Sequence, residues 1–153
     1  QNMLSDNNSD KLTNFYLKKP VEDIIQIAKI LNKYGSKNSK LILIGSSFSK
    51  AGRHNFKYPY YSLGKNILNT LNDILSLELG KKEMASIVLE FDVIDGGMNN
   101  SLSEIYKDQA RDRVPSGKIP TMKEAVKQIK WIIKNDSSLV NGSTIKLTGG
   151  SLP

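Results

Sequence analysis

Tyr61 and Lys65 stand four residues apart, the spacing that puts two side chains on one face of a helix. An ammonium beside a phenol favours the phenolate, because opposite charge stabilises the ionised form. The pair is therefore a usable acid/base made from a group that ordinarily titrates near ~10. Ser46 and Ser47 close an apolar run upstream, and a hydroxyl there could hold a carbonyl or alcohol oxygen in place. Alone, the pair carries little weight: six tyrosines among so many lysines give roughly 0.7 such pairs by chance. Its setting gives it meaning. It opens a long helical pattern that follows one buried strand and precedes another closed by Gly-Gly.

The elements around it can be read from periodicity. Val21, Ile24, Ile25, Ala28 and Leu31 predict a helix over residues 21–34, with Pro20 tolerated in its first turn and Gly35 as its stop. Leu41-Ile42-Leu43-Ile44 is a continuous apolar run ending in Gly45-Ser46-Ser47, as suits a strand buried on both faces of a parallel sheet. Residues 48–60 read as a loop. Leu68, Leu71, Leu75 and Leu79 predict a helix over 61–79, ended by Gly80. A second buried strand spans 85–94 and closes on Gly96-Gly97. A short polar helix follows over 101–113. Thr121, with Glu124 at the capping-box spacing, starts a helix running to about residue 134. In it, Trp131 is expected in the core with Ile129, Ile132 and Ile133. A last strand over 143–148 closes on Gly149-Gly150. The order α-β-α-β-α-α-β predicts an open α/β sheet with helices on both faces. Ligands in such sheets sit at the carboxyl ends of the strands.

Taken in order, these segments resemble the C-terminal part of a short-chain dehydrogenase/reductase. Leu41 to Ser47 resembles the catalytic-serine strand, and Tyr61-Ser62-Leu63-Gly64-Lys65 the Tyr-x-x-x-Lys motif. Val93-Ile94-Asp95-Gly96-Gly97-Met98 resembles the strand end usually written Pro-Gly, with Ser101 in the place of the threonine that follows it. Gly117-Lys118 resembles the Gly-Arg loop, and Leu147-Thr148-Gly149-Gly150 the terminal Gly-Gly strand. The resemblance implies a Rossmann-like doubly wound parallel sheet that lacks its N-terminal nucleotide-binding half. It implies an NAD- or NADP-dependent oxidoreductase that interconverts a carbonyl and an alcohol. Tyr61 would be the general acid/base, assisted by Lys65 and Ser46, with Asn14 in the place of a relay asparagine. Tyr61, Lys65, Gly97, Met98 and Ser101 would meet the cofactor; Ser46 and Ser47 would meet the small-molecule substrate. The two long helices would serve a homo-oligomer, a dimer or tetramer.

Three departures accompany the resemblance. The segment between Ser46 and Tyr61, which holds His54 and Phe56, is longer than usual. Gly96 stands where the family has proline. No Gly-rich phosphate-binding fingerprint occurs among the eleven glycines. A family domain runs to roughly 250 residues, within the one-domain range, so about the first hundred are expected to be missing. The alternative implied is a non-catalytic remnant or structural subunit that completes its sheet with another chain.

Composition narrows the classes. The 153 residues suit one domain, read as a flexible arm over 1–10 and the C-terminal part of a single Rossmann-type domain over 11–153. The absence of cysteine excludes a disulfide framework and thiolate metal sites. No His or carboxylate cluster has metal-ligand spacing, so no metal is expected. No apolar run approaches the ~20 residues of a membrane span, and the polar, acidic first residues lack signal-peptide character; the expected location is cytoplasmic. The net charge of +7 comes from scattered lysines with only three arginines, Arg53, Arg111 and Arg113. Arginine is the residue that grips phosphate and reads bases, so no specific nucleic-acid partner is expected. His54 reads as a surface histidine. Phe56, Lys57, Tyr58 and Tyr60 read as a substrate-side loop or lid.

Overall fold

A computed structural model describes residues 8–49, 58–136 and 138–151, with Met98 described by its backbone alone. Among the described residues three parallel strands form the sheet in the order β1-β2-β3: β1 (Lys40–Ser46), β2 (Ala85–Phe91) and β3 (Thr144–Leu147). The register pairs Ser46 with Phe91, and Phe91 with Leu147, so the strand ends lie side by side. This is the α/β parallel architecture that the alternating helical and strand periodicities predict.

Helices cover both faces. On one side, α2 (Lys19–Tyr34) and α3 (Pro59–Gly80) place Ala28, Leu68, Leu75 and Leu79 against Leu41, Leu43 and Val88. On the other side, α5 (Met122–Lys134) places Ala125 and Ile132 against Ala85, Ile87, Leu89 and Phe91. Strand β2 is buried at every residue, which accounts for its apolar stretch Ile87-Val88-Leu89; Ser86 and Glu90 are buried with it. Fully burying one such leucine is worth about 1.5–3 kcal/mol.

Several boundaries differ from the sequence reading, each for a local reason. The first helical run begins at Ser9, inside the segment read as an arm. It passes from α1 (Ser9–Thr13) through a π-helical turn, Asn14–Lys18, into α2; residues 1–7 lie outside the described ones. Helix α3 begins at Pro59, because proline suits a first turn whose N–H has no partner to lose. Strand β2 stops at Phe91. The chain beyond it leaves the sheet to pair with the loop before α5, where Asp95 N–H donates to Pro120 O at 2.8 Å and Met122 N–H donates to Asp95 O at 3.2 Å. A 3-10 turn occupies Gly97–Ser101, so α4 (Glu104–Asp112) starts later than residue 101, with Ser103 as its cap.

The Thr121/Glu124 capping box is present in both directions: the Thr121 hydroxyl accepts from Glu124 N–H, and the Glu124 carboxylate accepts from Thr121 N–H at 2.8 Å. Trp131 is a correction. It is 61% exposed, and Ile133 is 54% exposed, while Ile132 is buried. A helical turn of 3.6 residues places Trp131 about 100° from Ile132, off the face that meets the sheet.

Candidate active site

The carboxyl ends of β1 and β2 open into a cleft of about 690 Å³. Its wall contains Ser46 at the end of β1, Tyr61 and Lys65 on α3, and Ser101 at the end of the 3-10 turn. Four of the residues singled out from sequence therefore come together, although they span 56 positions from Ser46 to Ser101. A second groove of about 840 Å³ lies between α5, β3 and the 114–121 segment. It holds none of the predicted acid/base residues, so the first cleft is the candidate site.

Each side chain has a positional cause. The first turn of α3 carries Tyr61, and Lys65 follows one turn later on the same face. The Lys65 ammonium lies 5.8 Å from the centroid of the Tyr61 ring. It donates to the Ile44 carbonyl oxygen at 2.7 Å, which ties α3 to the end of β1. Burial holds the Lys65 pKa below its ordinary value, because desolvation penalises the charged form. An ammonium has three donors, so Lys65 keeps capacity beyond the Ile44 bond. The buried Ser46 hydroxyl accepts from Phe48 N–H at 3.2 Å, which leaves its own hydrogen to donate elsewhere.

The remaining predicted residues are placed differently. Ser47 begins a 3-10 turn, Ser47–Ser49, and is absent from the cleft wall, as is Gly97. Asn14 opens the π-helical turn and is exposed. The Met98 side chain, His54, Phe56 and Lys57 lie outside the described residues. Tyr58 lines the cleft, whereas Tyr60 is buried in the first turn of α3.

The Gly-Gly turn also differs from a Pro-Gly turn in kind. Gly96 has φ +122°, a backbone conformation closed to proline, whose ring fixes φ near −65°. The turn is held from its far side, where the Asn99 amide donates to Ile94 O at 2.9 Å.

The structure adds residues that spacing alone did not disclose. Tyr16, Asp92 and Tyr106 all line the cleft. Asp92 follows β2 directly. It accepts from the Ser151 hydroxyl and from Val93 N–H, and lies 3.7 Å from Arg113. Burial raises the Tyr106 pKa, with Arg113 pulling the other way. A signal for Asp92 was available: it is a carboxylate at the carboxyl end of a buried strand, between Phe91 and Val93. Nothing local marks Tyr16, because its neighbours in the cleft are distant in sequence.

No protein-family model matches the sequence. Curated relatives do. The 3-oxoacyl-(acyl-carrier-protein) reductase FabG of Buchnera aphidicola subsp. Baizongia pistaciae (strain Bp) is 30% identical over 136 residues, which is 89% of this chain and 51% of that protein. The L-xylulose reductase of Bos taurus is 24% identical over 132 residues, covering 84% of this chain and 54% of the relative. Among solved structures, a short-chain dehydrogenase/reductase (glucose/ribitol dehydrogenase) from Brucella melitensis superposes with a TM-score of 0.77 at 18% identity, over 95% of this chain and 57% of that one. The chain spans about half the length of the curated relatives it matches.

Proposed function

We propose, on the premise that this chain belongs to the short-chain dehydrogenase/reductase family, that its cleft is the proton-transfer part of an NAD(P)-dependent oxidoreductase acting on a carbonyl/alcohol pair. The observation that carries this reading is the convergence of Tyr61, Lys65 and Ser46 on one cleft at the strand ends.

The roles follow from donor chemistry. Ser46, whose oxygen already accepts from Phe48 N–H, offers its hydrogen to a substrate carbonyl oxygen. Tyr61 gives that oxygen a proton as it becomes an alcohol, and takes one back in the reverse direction. The Lys65 ammonium, 5.8 Å from the Tyr61 ring centroid, supplies opposite charge to the phenolate that proton donation leaves. Its spare donors suit the hydroxyls of a ribose, and Ser101 adds a hydroxyl on the same wall. These residues fit the nicotinamide end of the cofactor, which when bound supplies or accepts the hydride. The pyrophosphate end would need a Gly-rich strand-turn-helix that residues 1–153 do not contain.

The relatives suggest the probes. Oxidation of NADH or NADPH is followed with a 3-oxoacyl thioester and with L-xylulose, in the chain supplied with a Gly-rich strand-turn-helix half ahead of residue 1 and in its Tyr61→Phe variant. Loss of a general acid lowers turnover by about 10²–10⁴-fold. Near-full turnover by Tyr61→Phe overturns the assignment.

A second reading, a non-catalytic half that completes its sheet with another chain, is favoured by one observation. Among the described residues β1 is an edge strand, and it exposes Ile44 at 46%; Met122 at 45% and Val126 at 40% on α5 share the cleft wall with it. An open apolar strand edge invites pairing. Titrating the 153-residue chain with NADPH separates the two readings: tight binding by the chain alone removes the second. Homo-oligomerisation through α2 and α3 belongs to the same proposal, supported by exposed Ile27, Ile30, Ile74 and Leu77 on those helices.

A further inference from the structure

We propose that Tyr16 is a positioning residue for Tyr61, fixing the acid/base ring between its own ring and the Lys65 ammonium. The inference rests on the reading of Tyr61 given above, but its geometry stands without it. The Tyr16 and Tyr61 rings meet edge to face, with centroids 6.2 Å apart and planes at 88°. That is a favoured arrangement for two aromatic rings, because the positive edge of one meets the negative face of the other. Tyr16 is itself braced by Phe15, again edge to face, at 4.8 Å and 87°. Lys65 completes the set, 5.8 Å from the Tyr61 centroid. Tyr61 is thus bounded by an aromatic edge contact and by a cation, and both Tyr16 and Tyr61 line the cleft.

Two backbone features bring Tyr16 there. The first is the π-helical turn, Asn14–Lys18, with Tyr16 at its centre. Lys19 N–H reaches Asn14 O, five residues back, in place of the four of an α-helix. Such turns are rare and concentrate at functional sites. The second is Gly64, inside the Tyr61-x-x-x-Lys65 segment. A Cβ on Gly64 would overlap the Tyr16 carbonyl oxygen and come within 3.2 Å of the Tyr16 carbonyl carbon. Helix α3 therefore rests on the Tyr16 backbone within the same turn that carries Tyr61 and Lys65. An aromatic ring 45 positions upstream is delivered to the acid/base by a widened helical turn and a missing side chain.

The test is spectroscopic and needs no turnover. In the full chain with labelled tyrosine rings, Tyr61 is assigned by its loss in Tyr61→Phe. Its ring resonances should show a cross-peak to Tyr16 and a ring-current displacement. Tyr16→Phe keeps the ring and should keep that displacement. Tyr16→Leu removes the ring and should return the Tyr61 resonances to their exposed-tyrosine values, with the overall fold retained by circular dichroism. Unmoved Tyr61 resonances in folded Tyr16→Leu overturn the proposal. If that variant fails to fold, the wild-type cross-peak decides: its absence overturns the proposal and its presence supports it. The Tyr61→Phe turnover assay tests the acid/base role separately, so failure of one is not failure of the other.

Discussion

The Lys65 ammonium donates to the Ile44 carbonyl oxygen at 2.7 Å, across the junction between α3 and the end of β1. A lysine that would only bind cofactor has no need of this bond. Its presence means that Lys65 also locks the helix carrying Tyr61 to the strand that carries Ser46.

Lys65→Met should therefore lower turnover by about 10–100-fold, the worth of a charge-assisted hydrogen bond. Its effect on stability should depend on pH. Burial depresses the folded pKa of Lys65, so between that value and the unfolded value near ~10.4 the unfolded chain binds more protons. Stability contributed by wild-type Lys65 then rises with pH through that window. Below the folded pKa, the cost of burying the charge is present in full. Urea unfolding at about pH 7 and about pH 10.5 should show wild type gaining on Lys65→Met as pH rises. A gap that widens in the opposite direction contradicts the burial account.

Gly64→Ala tests the close approach of α3 to Tyr16. In an unencumbered helix this change should stabilise by about 0.8–1 kcal/mol. Here the new Cβ meets backbone, which cannot swing aside as a side-chain tip can. Overpacking of this kind costs about 1–3 kcal/mol, so the net result should be destabilisation by up to about 2 kcal/mol in a denaturant titration. A stabilised Gly64→Ala would mean that the helices stand farther apart.

The capping box of α5 predicts a second pH dependence with the opposite sign. Hydrogen bonds from the Thr121 backbone and side chain hold the Glu124 carboxyl below its ordinary pKa. That stabilisation is fully present above the unfolded value near ~4.3 and is lost as pH falls through the depressed folded value. Glu124→Gln keeps a capping amide without a charge that titrates. The melting-temperature gap between wild type and Glu124→Gln should be constant near neutral pH and should shrink in acid. A gap that persists at the lowest pH assigns the difference to shape and not charge.

These elements were legible to different degrees. The strands were plain because β2 is buried at every residue and β1 at most, which concentrates Leu41-Ile42-Leu43-Ile44 and Ile87-Val88-Leu89 into apolar runs, even though β2 also buries Ser86 and Glu90. Thr121 and Glu124 were plain because a capping box is a purely local pattern. Trp131 misled because it adjoins Ile132 in sequence, while adjacency on a helix is a 100° rotation. Ser46, Tyr61, Lys65 and Ser101 could be named as a set because each closes or opens an element whose type was readable. Tyr16 could not: its place depends on a π-helical turn, for which residue types give no sign, and on a contact across 45 positions. Asp92 was overlooked for another reason. Its partners are distant in sequence, Arg113 at the end of the polar helix and Ser151 beyond the last strand.

Arg113→Leu addresses that second cluster. Arg113 Nη2 is buried, has no hydrogen-bond partner, and lies 3.7 Å from Asp92. Asp92 keeps the Ser151 hydroxyl and Val93 N–H when the guanidinium is removed. The loss should therefore be modest, about 1–3 kcal/mol by urea unfolding. Asp92→Leu removes the acceptor for two donors as well as the carboxylate beside the partly buried guanidinium, and should cost more, about 2–5 kcal/mol. Equal losses in the two variants would show that the ion pair, and not the Asp92 hydrogen bonds, holds the end of β2 to the segments on either side.

Ile44→Lys tests whether the β1 edge is a working surface. Ile44 is 46% exposed in the chain alone, so lysine there should change the monomer's stability by no more than about 0.5 kcal/mol. Its long stem can cover the same apolar ground while its charge blunts edge pairing. If the open edge and the exposed Met122 and Val126 drive association, wild type should elute larger than Ile44→Lys on size exclusion, and the difference should grow with concentration. A large loss of stability in Ile44→Lys would instead place Ile44 inside a contact that the isolated chain already makes. Equal elution of the two proteins at all concentrations would remove the edge from consideration as a surface for self-association.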